Sequence, residues 1–299
     1  ALLSRLQAGE HVVAAGALYG GTRTLLDHEF PRLGIAATLV DFAGDDWREA
    51  LRPRTRAVVV EIPANPLLRV VDVRPLAEEA RSRGIVLVVD ATFATPINFR
   101  PLEHGADLVV HSATKYLGGH SDVTGGAVAG AGDLIGEVRA RAQIFGAALD
   151  PHAAWLIERG IKTLAVRMER HNRNGLQLAQ WCEGQRQIER VHYPGLASHR
   201  DHELAARLLD GFGGMLGIEL HGGRKSATRF VRALRLAKLA ASLGGVDTLV
   251  SEPRHTSHVN LSRDERQSLG LPDGFVRFSL GIEDAEDIIA DIESALREL

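Results

Sequence analysis

Short apolar runs alternate with helical periodicity through the first half of the chain. The runs at 57–62 and 85–89 are rich in β-branched residues and nearly continuous, which is typical of strands buried on both faces. The segment 73–83 between them has helical spacing and is followed by Gly84, and a further apolar run follows at 107–111. Repetition of strand, helix and strand predicts right-handed crossovers, and therefore an α/β fold with a mostly parallel central sheet and helices on both faces.

The first residues of the chain read as a helix, a glycine turn and a strand that includes 12–15. They lack the charged start, apolar core and cleavage site of a signal peptide. Because the chain enters the strand–helix pattern in mid-domain, we expect a further segment upstream of Ala1.

The pattern changes after about residue 150. The segment 163–184 has a long helical pattern, and shorter helices and strands alternate after it. No linker rich in proline or serine separates the halves, so we predict an α/β domain over 1–166 and a smaller α+β domain over 167–299. The second half contains candidate helices at 204–209, 225–236 and 285–296 and candidate strands at 215–220 and 275–280.

The composition is that of an ordinary folded protein, with 45% hydrophobic and 24% charged residues and a net charge of −3. A nucleic-acid partner would require a clustered basic excess, which the chain lacks. No apolar run approaches the roughly 18 residues of a membrane span. Cys182 is the single cysteine, so an intrachain disulfide and four-sulfur metal sites are excluded and a reducing, cytoplasmic location is expected.

Lysine is scarce, with only four among the 35 basic residues. A reaction that requires an amine therefore has few candidates, and one of them directly follows a predicted strand. The four are Lys115, Lys162, Lys225 and Lys238.

Polar residues follow three of the predicted strands. Glu61 and Asn65 follow the first run, Asp90 follows the second, and the segment 111–115 follows the third. In an open α/β sheet, ligands bind beyond the carboxyl ends of the strands. If these strands are neighbours, their ends deliver Asn, Asp, Ser, Thr and Lys side chains into one crevice.

This combination of residue types suits pyridoxal phosphate (PLP). The cofactor aldehyde requires an amine, for which Lys115 is the candidate, and the pyridine nitrogen requires a carboxylate, for which Asp90 is the candidate. Ser112 and Thr114 offer hydroxyls to the phosphate, and Tyr19 offers an aromatic face to the ring. Taken singly, these residue types more often serve as caps, turns or surface positions, so only their combination favours PLP.

Other protein classes stay open as alternatives. A Rossmann dehydrogenase requires G-x-G-x-x-G directly after the first strand, and the stretch 15–21 does not match it. A metal hydrolase would use His199 and His202, but this H-x-x-H lacks the glutamate of the H-E-x-x-H pattern, and no metal is expected. A non-catalytic relative that keeps the PLP fold is the third alternative.

Five motifs in order along the chain resemble those of the Cys/Met-metabolism PLP enzymes. This is the trans-sulfuration family of cystathionine lyases and synthases, methionine γ-lyase and homoserine sulfhydrylases. The likeness runs from about residue 10 to the last helix and implies a fold-type-I, transferase-like PLP fold. The motifs are YGGT at 19–22, EIPANP at 61–66, SATKY at 112–116 followed by GHSD at 119–122, SLGG at 242–245 and VRFSLGIE at 276–283.

The resemblance implies a set of cofactor-binding residues. Lys115 joins the cofactor aldehyde and then carries protons between substrate carbons, and Asp90 pairs with the pyridine nitrogen. Asn65 lies near the ring hydroxyl. Ser112 and Thr114 hold the phosphate.

The resemblance also implies catalytic and substrate contacts. Tyr19 stacks on the cofactor ring and assists proton transfer during elimination. Arg277 clamps the substrate α-carboxylate with Ser242 beside it, a task suited to a planar guanidinium, and Asn65 belongs to the same substrate-binding set.

Several positions depart from the family pattern. Ala91 follows Asp90 where Asn is common, and Ile62 replaces Ser or Thr. Ala241 stands where many cystathionine enzymes carry Glu, which argues against γ-specificity for cystathionine, and Gly21 stands where methionine γ-lyases usually carry Cys. The family's upstream segment contributes a Tyr and an Arg to a neighbouring subunit's phosphate and a Gly–Met pair to the cofactor, and none of these is assigned here.

The resemblance thus implies a PLP-dependent carbon–sulfur lyase of sulfur amino acid metabolism, which eliminates the β or γ substituent of cystathionine-like substrates. One alternative is γ-replacement, as in a cystathionine γ-synthase or an O-acyl-homoserine sulfhydrylase. The other is an inactive PLP-fold fragment that lacks the N-terminal arm. The family also implies a homotetramer, with a small sulfur amino acid as the partner and neither nucleic acid nor membrane.

Overall fold

The apolar runs of the first half form a six-stranded sheet. A computed structural model describes residues 1–44, 46–256, 259 and 262–299. The strands are β1 (His11–Ala15), β2 (Ala36–Val40), β3 (Thr55–Glu61), β4 (Val86–Asp90), β5 (Leu108–Ser112) and β6 (Gly126–Gly130). They lie in the order β2–β1–β3–β4–β5–β6; β1 to β5 are parallel, and β6 is antiparallel to β5. The predicted α/β class with a mostly parallel sheet is therefore confirmed.

The second half contains a smaller, five-stranded sheet. Its strands are β7 (Ile188–His192), β8 (Met215–Leu220), β9 (Lys238–Leu239), β10 (Leu249–Ser251) and β11 (Phe275–Ser279). They lie in the order β7–β8–β11–β10–β9, and their pairings are antiparallel except for the parallel pair β9–β10. Antiparallel pairing in this sheet matches the α+β character predicted for the second half.

Helices fill the connections and flank both sheets. Asp72, Asp150 and Asp284 cap three of them by accepting backbone N–H groups of the first turn. Within the described residues, no helix has both the length and the apolar character needed to cross a bilayer. The α-helices are α1 (Leu2–Arg5), α2 (Gly20–Thr24), α3 (Phe30–Arg32), α4 (Val73–Ser82), α5 (Thr95–Asn98), α6 (Gly132–Ile144), α7 (Pro151–Ile161), α8 (Leu164–Glu183), α9 (His202–Leu208), α10 (Gly223–Ala233), α11 (Arg263–Ser268) and α12 (Ala285–Leu296). Short 3-10 or π turns lie at Leu25–Glu29, Asp46–Ala50, Pro101–His104, Ala113–Leu117 and Pro253–His255.

The six-stranded sheet is covered on both faces because its central strands are apolar on both sides. Val58 and Val60 of β3 belong to one buried cluster, together with Leu76 of α4. Val59 of the same strand belongs to the opposite cluster, against which Ile135 of α6 packs. Alternating side chains of one strand thus enter two separate cores, as a near-continuous apolar run requires.

The 20-residue helix α8 packs against both halves of the molecule. Leu164 and Met168 in its first half belong to a buried cluster that includes Tyr116 from the turn after β5. Leu178 and Cys182 in its second half belong to the core of the five-stranded sheet. The boundary predicted between 166 and 167 falls in the first turn of this helix and stays a prediction.

Several elements lie where the sequence analysis predicts none. The strand β6 and the helices α6 and α7 lie between the predicted strand at 107–111 and the long predicted helix. The short strands β7, β9 and β10 are also absent from the sequence prediction. The strands β7, β9 and β10 each hold only one or two large apolar residues, which is too few for periodicity to reveal them.

Helix α7 approaches the turn after β5 through Gly160. A Cβ at this position would lie 2.2 Å from the carbonyl oxygen of Gly118 and 2.7 Å from that of Leu117. These distances are far below van der Waals contact, so only glycine permits the approach. The contact brings α7 against the turn that carries Lys115.

We expect Gly160→Ala to lower the free energy of unfolding by about 1–3 kcal/mol, because the added methyl group must displace backbone carbonyls. Gly136→Ala is the matched control, since Gly136 also lies in a helix and nothing lies within 4 Å of its Cβ position. There the substitution is expected to stabilise by up to about 1 kcal/mol through helix propensity. Urea denaturation measures both changes, and equal small effects would contradict the inferred contact.

Candidate active site

Strand register places three polar side chains on one face of the six-stranded sheet. Glu61 and Asp90 are Cα partners at the ends of β3 and β4. Two residues earlier on these strands, Val59 and Val88 lie in the same apolar cluster. Because side chains alternate along a strand, Glu61 and Asp90 project from that face, and Ser112 at the end of β5 does so as well.

The turn at Ala113–Leu117 carries Lys115. Lys115 interrupts the helical geometry of this turn with φ −89° and ψ −130°. Its Nζ donates a hydrogen bond to Ser242 Oγ at 3.3 Å. The buried Arg167 guanidinium of α8 fixes the same turn by donating to the Tyr116 carbonyl at 2.8 Å.

The SLGG motif reaches this turn through Gly244. Its φ of +75° lies in the left-handed region that glycine favours. A Cβ here would lie 2.8 Å from the backbone nitrogen of Tyr116, so a side chain is sterically excluded. The Gly244 N–H donates to Ser279 Oγ at 2.8 Å, which ties the motif to β11. These contacts hold Ser242 within reach of Lys115.

Asp90 is a desolvated carboxyl group. Burial raises its pKa, while the Thr92 hydroxyl and backbone N–H, which donate to Oδ1 at 2.5 and 2.9 Å, oppose that shift. Thr92 Oγ1 also accepts the Ser112 backbone N–H at 2.9 Å. Thr92, to which the sequence analysis gives no role, therefore links the ends of β4 and β5.

Glu61 is a buried carboxyl that holds two motif residues. Its Oε2 accepts the Tyr19 backbone N–H at 2.7 Å, and its Oε1 accepts the Asn65 backbone N–H at 2.9 Å. Burial and the neighbouring Asp90 charge raise the pKa of Glu61 to about 8 in spite of these hydrogen bonds. The carboxyl group thus fixes the backbone at Tyr19 and at Asn65.

Arg277 of β11 is buried beside these groups. Its Nη1 donates to Asn65 Oδ1 at 3.2 Å, and its Nη2 donates to the Ala241 carbonyl at 3.4 Å. Its Nε has no hydrogen-bond partner among the described residues. Burial lowers the pKa of Arg277 to about 10, so the group stays cationic near neutral pH. A buried cationic donor without a partner suits an incoming carboxylate.

The pKa of the Lys115 amine is shifted as well. Burial, followed by the positive charge of Arg277, lowers the pKa of Lys115. A larger fraction of the amine is therefore neutral near physiological pH than for a solvated lysine. Only the neutral amine can act as a nucleophile or accept a proton.

One cavity of about 590 Å³ brings the predicted residues together. This volume lies in the range of small-molecule sites. Tyr19 is 55% exposed. Ser242 lies next to the cavity, where its hydroxyl accepts a hydrogen bond from Lys115. The predicted site residues that line the cavity are Tyr19, Asn65, Asp90, Ser112, Thr114, Lys115 and Arg277.

The sequence analysis assigns no role to four other residues that line the cavity and to one that contacts the lysine turn. Glu61 belongs to the EIPANP motif and Thr92 follows Asp90 by two residues, so the sequence places both beside predicted site residues. The sequence gives no sign of the role of Arg167, because its contact with the lysine turn joins residues 51 positions apart. His255 and Thr256 line the cavity from the turn Pro253–His255, outside any recognised motif.

The H-x-x-H pair is engaged elsewhere. His199 Nδ1 accepts the Asp201 backbone N–H at 3.2 Å, and His199 Nε2 lies 3.3 Å from the Leu67 carbonyl. His202 Nδ1 lies 2.9 Å from the Pro194 carbonyl. In the part of the chain that the structure describes, no cluster of three or more His, Cys, Asp or Glu could hold a metal ion.

Comparisons with known proteins identify the relatives of this chain. The sequence model of a family described as "Cys/Met metabolism PLP-dependent enzyme" matches residues 1–297. The cystathionine β-lyase of Lactococcus lactis is 41% identical over 300 residues, covering 100% of this chain and 79% of the relative. The cystathionine γ-lyase of Bacillus subtilis is 42% identical over 301 residues, again 100% of this chain and 79% of the relative.

A solved structure shares the fold. The cystathionine γ-synthase of Xanthomonas oryzae pv. oryzae, in complex with aminoacrylate and cysteine, superposes with a TM-score of 0.96 at 38% identity. The match covers 99% of this chain and 77% of that one. The relatives therefore include both lyases and a synthase at nearly equal identity.

The raised pKa of Glu61 predicts a pH-dependent stability. The folded chain, with a Glu61 pKa of about 8, keeps a proton that the unfolded chain loses near the ordinary pKa of 4.5. This contribution is fully present below the unfolded pKa and is lost as the pH rises through the folded one. Between pH 6 and 8, we expect the wild type to lose about 1–2 kcal/mol more unfolding free energy than Glu61→Gln, which cannot ionise.

Urea denaturation of the cofactor-free protein at both pH values measures this difference. Glu61→Gln is the appropriate comparison because all other titrating groups are retained. Parallel losses in the two proteins would show that Glu61 is ionised throughout this range.

Proposed function

The chain belongs to the Cys/Met metabolism PLP-dependent enzyme family, and we propose that it eliminates the β or γ substituent of cystathionine-like amino acids. The observation that carries this proposal is the presence in one cavity of the Lys115 amine, the Asp90 carboxyl group and the Arg277 guanidinium. Amine, carboxyl and guanidinium are the groups needed for the cofactor aldehyde, its ring nitrogen and a substrate carboxylate. The lyases among the relatives favour elimination.

The residues of the cavity fit PLP. When bound, the cofactor supplies an aldehyde that combines with amines and a ring that accepts the electrons released at the substrate Cα. Lys115 would hold the aldehyde and Asp90 the ring nitrogen, while Ser112 and Thr114 would hold the phosphate. The exposed ring of Tyr19 offers the stacking face.

The unpartnered Nε of Arg277 supports a role in binding the substrate α-carboxylate. Its two Nη atoms are already oriented by Asn65 and by the Ala241 carbonyl, so the guanidinium plane is fixed before substrate arrives. Ser242 directly follows Ala241, and its hydroxyl lies 3.3 Å from the Lys115 amine. The substrate α-carboxylate would thus be held close to the amine that acts on its Cα.

Lys115 would move the protons of the reaction. Its lowered pKa leaves a neutral amine that can accept the Cα proton and return it to another substrate carbon. The positive charge of Arg277 disfavours prolonged protonation of Lys115, because burial of two cations in one cavity is costly. Tyr19 is the second candidate for proton transfer. Its backbone is held by the Glu61 carboxyl group, which accepts the Tyr19 N–H.

The second candidate function is γ-replacement, in which a thiol enters where the substituent leaves. The close superposition on a γ-synthase favours it. Elimination ends in a keto acid and ammonia, whereas replacement consumes a thiol and releases no keto acid. The two reactions use the same residues up to the loss of the substituent, so product analysis separates them.

Exposed apolar side chains support assembly into a homo-oligomer, which we propose is a tetramer. Ile144 is 74% exposed and Val166 is 72% exposed, and Phe145 and Trp155 between them are also more than half exposed. Exposure of several large apolar side chains in one stretch of chain is unfavourable in water. It is typical of an interface between subunits. The one cysteine, Cys182, is buried and free, which suits the reducing cytoplasm that we propose as its location.

With PLP added, we expect wild-type protein to convert cystathionine to a keto acid, and we expect Lys115→Ala to lose at least about 10³-fold in rate because the amine is absent. Borohydride reduction followed by peptide mass spectrometry should place the cofactor on Lys115 in the wild type. Lys162→Ala, at an exposed lysine, is the matched control and should retain both properties.

Incorporation of an added thiol into the product, without release of a keto acid, would favour the synthase. A wild type that neither binds the cofactor nor releases product would support the inactive fragment. Labelling of a different lysine would refute the assignment of Lys115.

Light scattering tests the assembly. We expect a mass of four chains for the wild type and a smaller assembly for Phe145→Glu, because a buried charge opposes association. Leu102→Glu is the control, since Leu102 is 43% exposed but lies outside the stretch 144–166. A wild-type monomer would contradict the proposal.

A further inference from the structure

The turn Pro253–His255 borders the active-site cavity outside the motifs that carry the cofactor-binding residues. His255 and Thr256 line the cavity together with Ala241 and Arg277. His255 is exposed, so a molecule that enters the cavity can meet its ring. Its position makes the turn a candidate for contact with the part of a substrate that lies away from the α-carbon.

A buried ion pair anchors this turn. Arg254 forms a salt bridge with Glu252, and each side chain is only 8% exposed. Arg254 Nη1 donates to the Asp273 carbonyl at 2.9 Å, and Nη2 donates to Thr228 Oγ1 at 2.8 Å. The positive charge of Arg254 is therefore compensated within the protein, and the turn is held from two distant segments.

The same arginine sets the proton arrangement of His255. Arg254 Nε donates a hydrogen bond to His255 Nε2 at 3.1 Å. Because an N–H group donates this bond, Nε2 must be the unprotonated nitrogen of the ring. The neutral imidazole therefore carries its proton on Nδ1, which leaves one N–H donor for a ligand.

We propose that His255 is a specificity-determining residue that binds the second carboxylate of a two-headed amino acid such as cystathionine. Arg277 suits the carboxylate next to the reacting carbon, and the Nδ1–H of His255 supplies a donor for an acceptor group at the other end. The inference rests on the proposed function, since it assigns the far end of a substrate whose near end is held at Lys115. Arg254 acts as a positioning residue because it touches His255 and not the cavity.

Two unreactive amino acids test this proposal by binding alone. In 2,7-diaminosuberate, methylene replaces the sulfur of cystathionine and both carboxylates are kept, whereas norleucine has a plain hydrocarbon end. Neither contains a carbon–sulfur bond, so neither can be eliminated. Calorimetry on PLP-reconstituted protein measures the dissociation constants of both.

We expect His255→Ala to weaken 2,7-diaminosuberate binding about tenfold or more, as for loss of a hydrogen bond to a charged group, and norleucine binding by less than about twofold. His255→Asn should restore much of the difference, because its amide N–H can take the place of Nδ1–H. His255→Gln should not, because its amide matches Nε2 instead.

Equal losses for both ligands in His255→Ala would overturn the proposal, since they would indicate a general effect on the cavity. Unchanged binding of both would overturn it as well. Rescue by Gln and not by Asn would assign the ligand contact to Nε2 of His255. It would refute the assignment of the ring proton to Nδ1. Failure of the proposed function is distinguishable, because the wild type would then neither bind norleucine nor release a keto acid from cystathionine.

Discussion

Glu61 and Asp90 stand side by side at the ends of two parallel strands, and both are buried. Two adjacent carboxylates out of water repel each other, so protons or cations must be supplied nearby. Lys115 and Arg277 line the same cavity and carry the opposite charge. Burial raises the pKa values of the acids and lowers those of the bases, so all four groups shift toward their neutral forms. The reactivity of the amine depends on this shared loss of water.

Keeping these groups in place takes contacts from distant parts of the chain. Glu61 fixes the backbone at Tyr19 and Asn65, while Arg167 fixes the lysine turn from the long helix. Gly244 allows the second half to approach that turn within contact distance. The geometry of the site is thus a property of the packing between the two sheets as well as of either sheet alone.

The sequence was sufficient for the parallel sheet, for the long helix and for the residues that end the strands. Strand-end chemistry could be predicted because a parallel register delivers such residues to one edge, as with Asp90 and Lys115. The roles of Thr92 and Arg167 could not, because each depends on a hydrogen bond whose partner is set by tertiary packing. The strand β6 was missed because a run of Gly and Ala carries little β propensity and is stabilised by its neighbour β5.

The groups of the cavity come from two separate stretches of chain. Lys115 and Asp90 belong to the first sheet, whereas Arg277, Ser242 and the turn with His255 belong to the second half. Mutations in the second half can therefore alter which molecules are accepted and leave the strand ends of the first sheet untouched. Such a division of labour allows the choice of amino acid to diverge through the second half while the strand ends of the first sheet keep their residues.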